Sequence, residues 1–171
     1  MILETRRLCL REMTPSDYAA LCGILQDPEV MYAYNGPFDD EETQAWLDRQ
    51  LDRYRAYGHR FGLWAVILKE TGSMIGQCGL TMQPWKDRQV LEIGYLFRRD
   101  HWHQGYATEA AIACREYAFS TLHADEVCSI IRDTNLPSQR VARRVGMLPA
   151  DTWVKRYRGM DMPHVMFSVR H

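Results

Sequence analysis

The run His103-Gln104-Gly105-Tyr106-Ala107-Thr108-Glu109-Ala110 constrains this chain more than any other stretch. It follows the strand-like Val90-Leu91-Glu92-Ile93-Gly94-Tyr95-Leu96-Phe97 after a short basic loop and opens a helical pattern from Gly105 to Leu122. A helix start leaves its first N–H groups unpaired and carries partial positive charge. Gly105, followed by the small Ala107, lets an anion approach that backbone closely. The run therefore reads as a seat for a diphosphate, built from main chain rather than from lysines.

The surrounding pattern places this turn in a mixed sheet. Leu8 to Glu12 reads as a first strand, and Thr14-Pro15-Ser16-Asp17 as a helix start capped by Thr14, with Tyr18, Leu21, Cys22 and Leu25 on one face. Asp39-Asp40-Glu41-Glu42 sits where a helix start favours negative charge, and Gly58 closes that segment, whose inner stripe is Trp46, Leu47, Leu51, Tyr54 and Tyr57. The four acids read either as a solvated helix start or as a patch for a cationic group. Phe61 to Leu68, Met74 to Met82 and Val90 to Phe97 form an antiparallel meander with turns near Gly72 and at Lys86-Asp87-Arg88. After the helix that begins at Gly105 come a strand over Glu126 to Ile131, a helix over Asn135 to Val145 ended by Gly146, and a last strand over His164 to Val169. The glycine turn then lies at the end of the third meander strand, beside a crevice of the kind ligands favour.

At 171 residues, with no repeat, linker or low-complexity run, the chain reads as a single domain, 1–171. Lys and Arg number 21 against 22 Asp and Glu, a net charge of −1, which lacks the basic field of a general nucleic-acid binder. No stretch approaches the ~18 apolar residues of a membrane span, and Met1 to Arg7 lacks an apolar signal core, so a cytoplasmic protein is expected. Cys9, Cys22, Cys78, Cys114 and Cys128 are scattered among apolar neighbours with no C-x-x-C spacing, which predicts reduced core cysteines. His101 and His103 have no third ligand at a recognisable spacing, so no metal is expected. Runs that would mark a nucleophile elbow, a P-loop or a dinucleotide turn are missing.

Three blocks together resemble the GNAT superfamily of N-acetyltransferases, and within it the branch of the ribosomal-protein N-terminal (RimJ/RimL-like) acetyltransferases. They are Leu91-Glu92-Ile93-Gly94-Tyr95, Trp102 to Ala110, and Asn135-Leu136-Pro137-Ser138-Gln139-Arg140-Val141 with Gly146-Met147. Leu3 to Arg11 resembles the family's opening strand. The resemblance implies an α/β (α+β) fold with a mixed, mostly antiparallel sheet, helices on both faces, and a strand carrying Gly94 that splays from its neighbour at a β-bulge.

It further implies that acetyl-coenzyme A is the donor. Its diphosphate would rest on the backbone of Gln104, Gly105, Tyr106, Ala107 and Thr108, and its pantetheine along Leu96 and Phe97, held also by Asn135 and Ser138. Asn135 is equally an ordinary helix N-cap, and the two roles are compatible. Trp102 stands where many members of the superfamily have Arg or Gln, which leaves Arg98 and Arg99 either as phosphate partners or as a solvated loop.

Transfer to an amine needs a group that removes a proton from the ammonium. Glu92, a carboxylate in an otherwise apolar strand, is the candidate, directly or through one water; the competing reading pairs it with an Arg or turns it to solvent. Main-chain N–H groups from Tyr95 to Phe97 would polarise the thioester carbonyl. Ser138 would protonate the departing thiolate, with Tyr95 and Tyr106 as alternatives. The acceptor is a small-molecule amine or a protein N-terminus, walled by Asp27 to Phe38, Pro84-Trp85 and Trp153 to Pro163, where Tyr32, Tyr34, Trp85, Trp153 and Tyr157 line a groove or complete the core rim. The aromatic edges would also suit a homodimer. A non-catalytic acyl-coenzyme A sensor on the same fold is the alternative function.

Overall fold

The computed structural model describes residues 1–171 as eight strands in one sheet with five α-helices. The strands are β1 (Leu3–Glu4), β2 (Leu8–Arg11), β3 (Gly62–Leu68), β4 (Met74–Trp85), β5 (Arg88–Phe97), β6 (Glu126–Arg132), β7 (Leu148–Tyr157) and β8 (Met160–Arg170). The helices are α1 (Tyr18–Leu25), α2 (Pro28–Met31), α3 (Asp40–Tyr57), α4 (Tyr106–Ser120) and α5 (Leu136–Arg144). Sheet order is β1-β2-β3-β4-β5-β6-β8-β7, antiparallel throughout except where β5 meets β6.

Local chemistry accounts for the helix ends. Asp39 accepts from the Glu42 N–H at 2.8 Å while Glu42 accepts from the Asp39 N–H at 2.9 Å, a reciprocal cap that identifies the acidic run as the start of α3 rather than a substrate patch. Gly58 ends α3 in the left-handed conformation that its missing side chain permits. Thr14 and Asp17 cap a 3₁₀ turn leading into α1, and the Asp27 side chain accepts from the Glu29 N–H at the start of α2, with Pro28 at its first position.

The meander strands alternate their side chains across the sheet, so neighbours on β4 point to opposite helix layers. Gln77 accepts from the Trp46 indole on α3 at 2.9 Å, whereas Cys78 packs on Cys114 of α4. Thus α3 covers one face and α4 the other; α5 joins α4, since its Ser138 carbonyl accepts from the hydroxyl of Tyr95, which pairs with Cys78 in the ladder. The small stripe on α4 buries Ala110, Ala111, Cys114 and Ala118 completely. At Gly79 a Cβ would lie 2.0 Å from the Gly62 carbonyl oxygen, so only glycine fits there.

Several expectations need correction. The opening segment folds as two short strands, because Thr5 N–H and Oγ1 both reach the Leu8 carbonyl and turn the chain at Arg6-Arg7. Trp153 to Pro163, expected as a wall of the acceptor site with no strand assigned to it, belongs to the hairpin of β7 and β8; β7 is an edge strand that buries no full face, so its charged positions hid it. Tyr57 leaves the α3 stripe and lies exposed against Phe61. Cys9 and Cys22 are only partly buried, unlike Cys78, Cys114 and Cys128, and all five are free thiols. The β-bulge expected at Gly94 produces no shift of register between β4 and β5, which stay paired in step from Gly76–Phe97 to Trp85–Arg88.

The expected splay of the strand carrying Gly94 is present on its β6 side. Strands β5 and β6 share one ladder pair, Glu92 with Cys128. Beyond it side chains replace backbone partners: Ser129 Oγ donates to the Ile93 carbonyl at 2.8 Å, and Glu92 Oε1 accepts from the Ile130 N–H at 3.2 Å.

Candidate active site

The turn into α4 keeps its backbone donors free. Gly105 is the N-cap with φ 81°, and no side chain caps the first turn of the helix. The first N–H groups of a helix have no partner inside it, so those of Tyr106, Ala107 and Thr108 point out of the helix end together. The protein braces this turn from behind. Arg7 donates through Nη1 to the Gln104 carbonyl at 2.9 Å and through Nε to Glu109 at 2.6 Å, while its guanidinium covers the Tyr106 ring at 4.4 Å. Trp102 donates its indole N–H to the Phe97 carbonyl at 2.9 Å, tying the loop to the end of β5.

A cleft of about 460 Å³ opens over this turn. Its walls include Leu96, Phe97, Gly105, Tyr106, Ala107, Thr108, Asn135 and Ser138, so of the predicted cofactor-binding residues only Gln104 stays outside the lining. Arg98 pairs with Asp100 at 2.7 Å and Arg99 with Asp27 at 3.3 Å, and neither lines the cleft. The cations that do are Arg140 and Arg144 of α5, one helical turn apart, which the sequence reading missed.

A second cavity, about 420 Å³, lies on the α3 side of the sheet. The two meet at Tyr95, Leu96, Asn135 and Ser138, the residues beside the splay. Ile93 and Phe97 turn their carbonyls to Ser129 and Trp102, away from β4; by the two-residue period of a strand, the backbone of Tyr95 faces the same gap. Asn135 Oδ1 caps α5 through the Ser138 N–H at 3.3 Å and accepts from the Tyr32 hydroxyl at 2.9 Å, leaving its NH₂ without a protein partner. The Tyr95 hydroxyl donates to the Ser138 carbonyl at 2.9 Å and lies within reach of the Ser138 side chain, and burial drives its pKa up. Tyr106 is buried beneath Arg7.

Glu92 lies in the second cavity, on the same sheet face as Thr81 of β4. Burial raises its pKa above the ordinary carboxylate range, against the lowering effect of the Ile130 N–H and of Lys155 and Arg53. No ion pair of 4.0 Å or less involves Glu92, so the reading that pairs it with Arg does not hold; the residue is partly buried and lines the second cavity. Tyr34 and Tyr157 line this cavity and meet edge to face at 6.2 Å. Trp85 and Trp153 do not; Trp85 is buried in a small satellite core, donates to Asp151 and stacks on Trp153. Trp46, Arg49 and Arg53 of α3, Gln77 and Thr81 of β4, and Lys155 of β7 complete the walls. Polar Gln77, Thr81 and Gln83, on one face of an otherwise apolar strand, were the available signal for β4.

No helix is long and apolar enough to cross a membrane, and no group of three or more His, Cys, Asp or Glu side chains is placed to hold a metal ion.

Residues 7–148 match the family model described as an acetyltransferase (GNAT) domain. The uncharacterised protein YkkB of Bacillus subtilis is 40% identical over 146 residues, covering 85% of this chain and 84% of that protein. The crystal structure of an acetyltransferase from Agrobacterium tumefaciens superposes with a TM-score of 0.81 at 30% identity, covering 99% of this chain and 94% of that one. RimL, a ribosomal L7/L12 α-N-protein acetyltransferase solved in complex with coenzyme A, shares the fold with a TM-score of 0.79 at 16% identity, over 99% and 97% of the two chains.

Proposed function

Because the chain belongs to the GNAT family of acetyltransferases, we propose that it transfers the acetyl group of acetyl-coenzyme A directly to a primary amine, on a small molecule or a protein N-terminus. One observation carries this reading: the cleft over the uncapped start of α4 and the cavity holding Glu92 join at the splay between β5 and β6. A donor and an acceptor entering from opposite faces of the sheet would meet there.

The backbone N–H groups of Tyr106, Ala107 and Thr108, opened by Gly105, receive the diphosphate. Arg140 and Arg144 offset the remaining phosphate charge. The pantetheine lies along Leu96 and Phe97 with the free NH₂ of Asn135 within its cleft, and the Tyr95 N–H faces the thioester carbonyl.

Glu92 takes the proton of the incoming ammonium, directly or through one water. Its raised pKa improves the match between base and amine. The amine nitrogen then attacks the carbonyl carbon; the C–N bond forms, the C–S bond breaks, and the second proton shed by the nitrogen passes through the Ser138 hydroxyl to the leaving thiolate. No covalent acyl-enzyme is needed: no Cys lines either cavity, and burial holds Cys128, the ladder partner of Glu92, as the thiol.

The test is thiol release from acetyl-coenzyme A with a panel comprising an N-terminal peptide, a polyamine, an aminoglycoside and free amino acids. Amine-dependent release with acetylated product supports transfer. Binding of acetyl-coenzyme A without transfer to any amine would contradict it and favour a sensor.

A further inference from the structure

The Glu92 cavity is strongly positive in a chain whose net charge is −1. Its walls carry Arg49, Arg53, Arg132, Lys155 and Arg156, against Glu92 as the single carboxylate. Arg49, Arg53 and Lys155 have no acidic partner within 4.0 Å; of the fourteen ion pairs in the chain only Arg156–Asp161, at 3.7 Å, involves a residue lining this cavity. Arg49 and Arg53 sit one turn apart on α3, the like-charge spacing that destabilises a helix unless an anion lies between them. Arg53 is partly buried with one hydrogen bond, to Gln50 Oε1 at 3.0 Å, and burial together with the Arg49 charge lowers its pKa.

The buried polar atoms point the same way. Three buried side-chain nitrogens in the chain lack a partner, and two of them, Gln77 Nε2 and Arg132 Nε, belong to residues lining this cavity. Gln77 is fully buried, and its orientation is fixed because the Trp46 indole can only donate and takes Gln77 Oε1. The group left over is a donor in each case. A buried donor without an acceptor is costly, and an anionic oxygen, which only accepts, is the complement that a cationic or neutral amine lacks.

Resting on the proposed transfer to an amine, we infer that the acceptor is a small amine that also bears an anionic group, a carboxylate or a phosphate, held by Arg49 and Arg53 while its nitrogen faces Glu92. Peptides with uncharged first residues and polyamines then fit poorly.

The experiment compares kcat/KM, corrected for the fraction of neutral amine, for an amino acid against its primary amide and for phosphoethanolamine against ethanolamine. The anionic member of at least one pair should be preferred by roughly 10-fold or more, and whichever pair shows it tells carboxylate from phosphate. Arg49→Gln, at an exposed position, and Arg53→Gln should each reduce that preference roughly 10-fold through KM rather than kcat, Arg53→Lys should restore part of it, and Arg53→Glu should turn the preference toward a diamine. Calorimetric affinity for acetyl-coenzyme A serves as the check on folding. Equal or better use of the neutral or polycationic amines, or a preference that survives both glutamine variants, overturns the inference and leaves amine acetylation standing. Failure to acetylate any amine overturns both.

Discussion

Ser129 Oγ donates to the main-chain carbonyl of Ile93 at 2.8 Å, so a side chain of β6 takes the place of a ladder bond to β5. This contact and the Glu92–Ile130 hydrogen bond beside it separate the two strands after one paired position, and both cavities reach the gap that results. Ser129 is 2% exposed. Ser129→Ala therefore leaves a buried carbonyl without its partner and should cost roughly 1–3 kcal/mol in urea unfolding, with a larger loss in kcat than in acetyl-coenzyme A affinity. Wild-type stability in this variant would show that the strands part for another reason.

The start of α4 depends on a clamp within its own first turn. Glu109 accepts from Thr5 Oγ1 at 2.6 Å, from the Arg7 N–H at 2.9 Å and from Arg7 Nε at 2.6 Å. Burial acts to raise its pKa, but these three donors outweigh it and hold the pKa below the ordinary value. A depressed carboxylate stabilises the fold above its unfolded pKa and loses that contribution as pH falls through the folded value. Glu109→Ala should therefore lower stability at pH 7 by about 2 kcal/mol, and the gap from wild type should shrink on acidification below the ordinary glutamate range. A gap independent of pH would assign the loss to packing.

Glu92 has the opposite sign. Its raised pKa means that the native state holds the proton to higher pH than the unfolded chain does, so stability falls as pH rises through the window between the ordinary and the raised value. Glu92→Gln keeps an acceptor for the Ile130 N–H and removes that slope. Its turnover should fall by about 100-fold or more, with the acid limb of the wild-type pH profile lost and cofactor affinity retained. Undiminished turnover would clear Glu92 of the role.

Much of this architecture is legible in the residues because local signals and burial agree. The reciprocal Asp39–Glu42 cap, Gly58, the Gly105 turn and the Ala110, Ala111, Cys114 and Ala118 stripe each express one backbone or packing requirement within a few positions. Strand β7 escapes because an edge strand with Asp151, Lys155 and Arg156 has no buried period to display. Arg49, Arg53, Gln77 and Lys155 escape for another reason: they converge from α3, β4 and β7, and only the sheet order brings them to one cavity. Arg98 and Arg99 read equally as phosphate partners or as a solvated loop from their place beside the turn, and the choice falls to Asp100 and Asp27, which hold them in contacts that composition does not reveal.

In the proposed function the donor's diphosphate depends on the open amides at the start of α4, and Gly105 gives access to them. Its φ of 81° already favours glycine, and a Cβ there would stand 3.4 Å from Arg7 Nη2, so a small side chain is accommodated at a modest cost of about 1 kcal/mol. Gly105→Glu adds bulk and a negative charge at that point. Titration calorimetry of this variant with acetyl-coenzyme A, beside a thermal melt to verify folding, is the most direct measurement. A folded protein whose affinity has fallen at least about 100-fold is the predicted result, and a folded protein with wild-type affinity would contradict it.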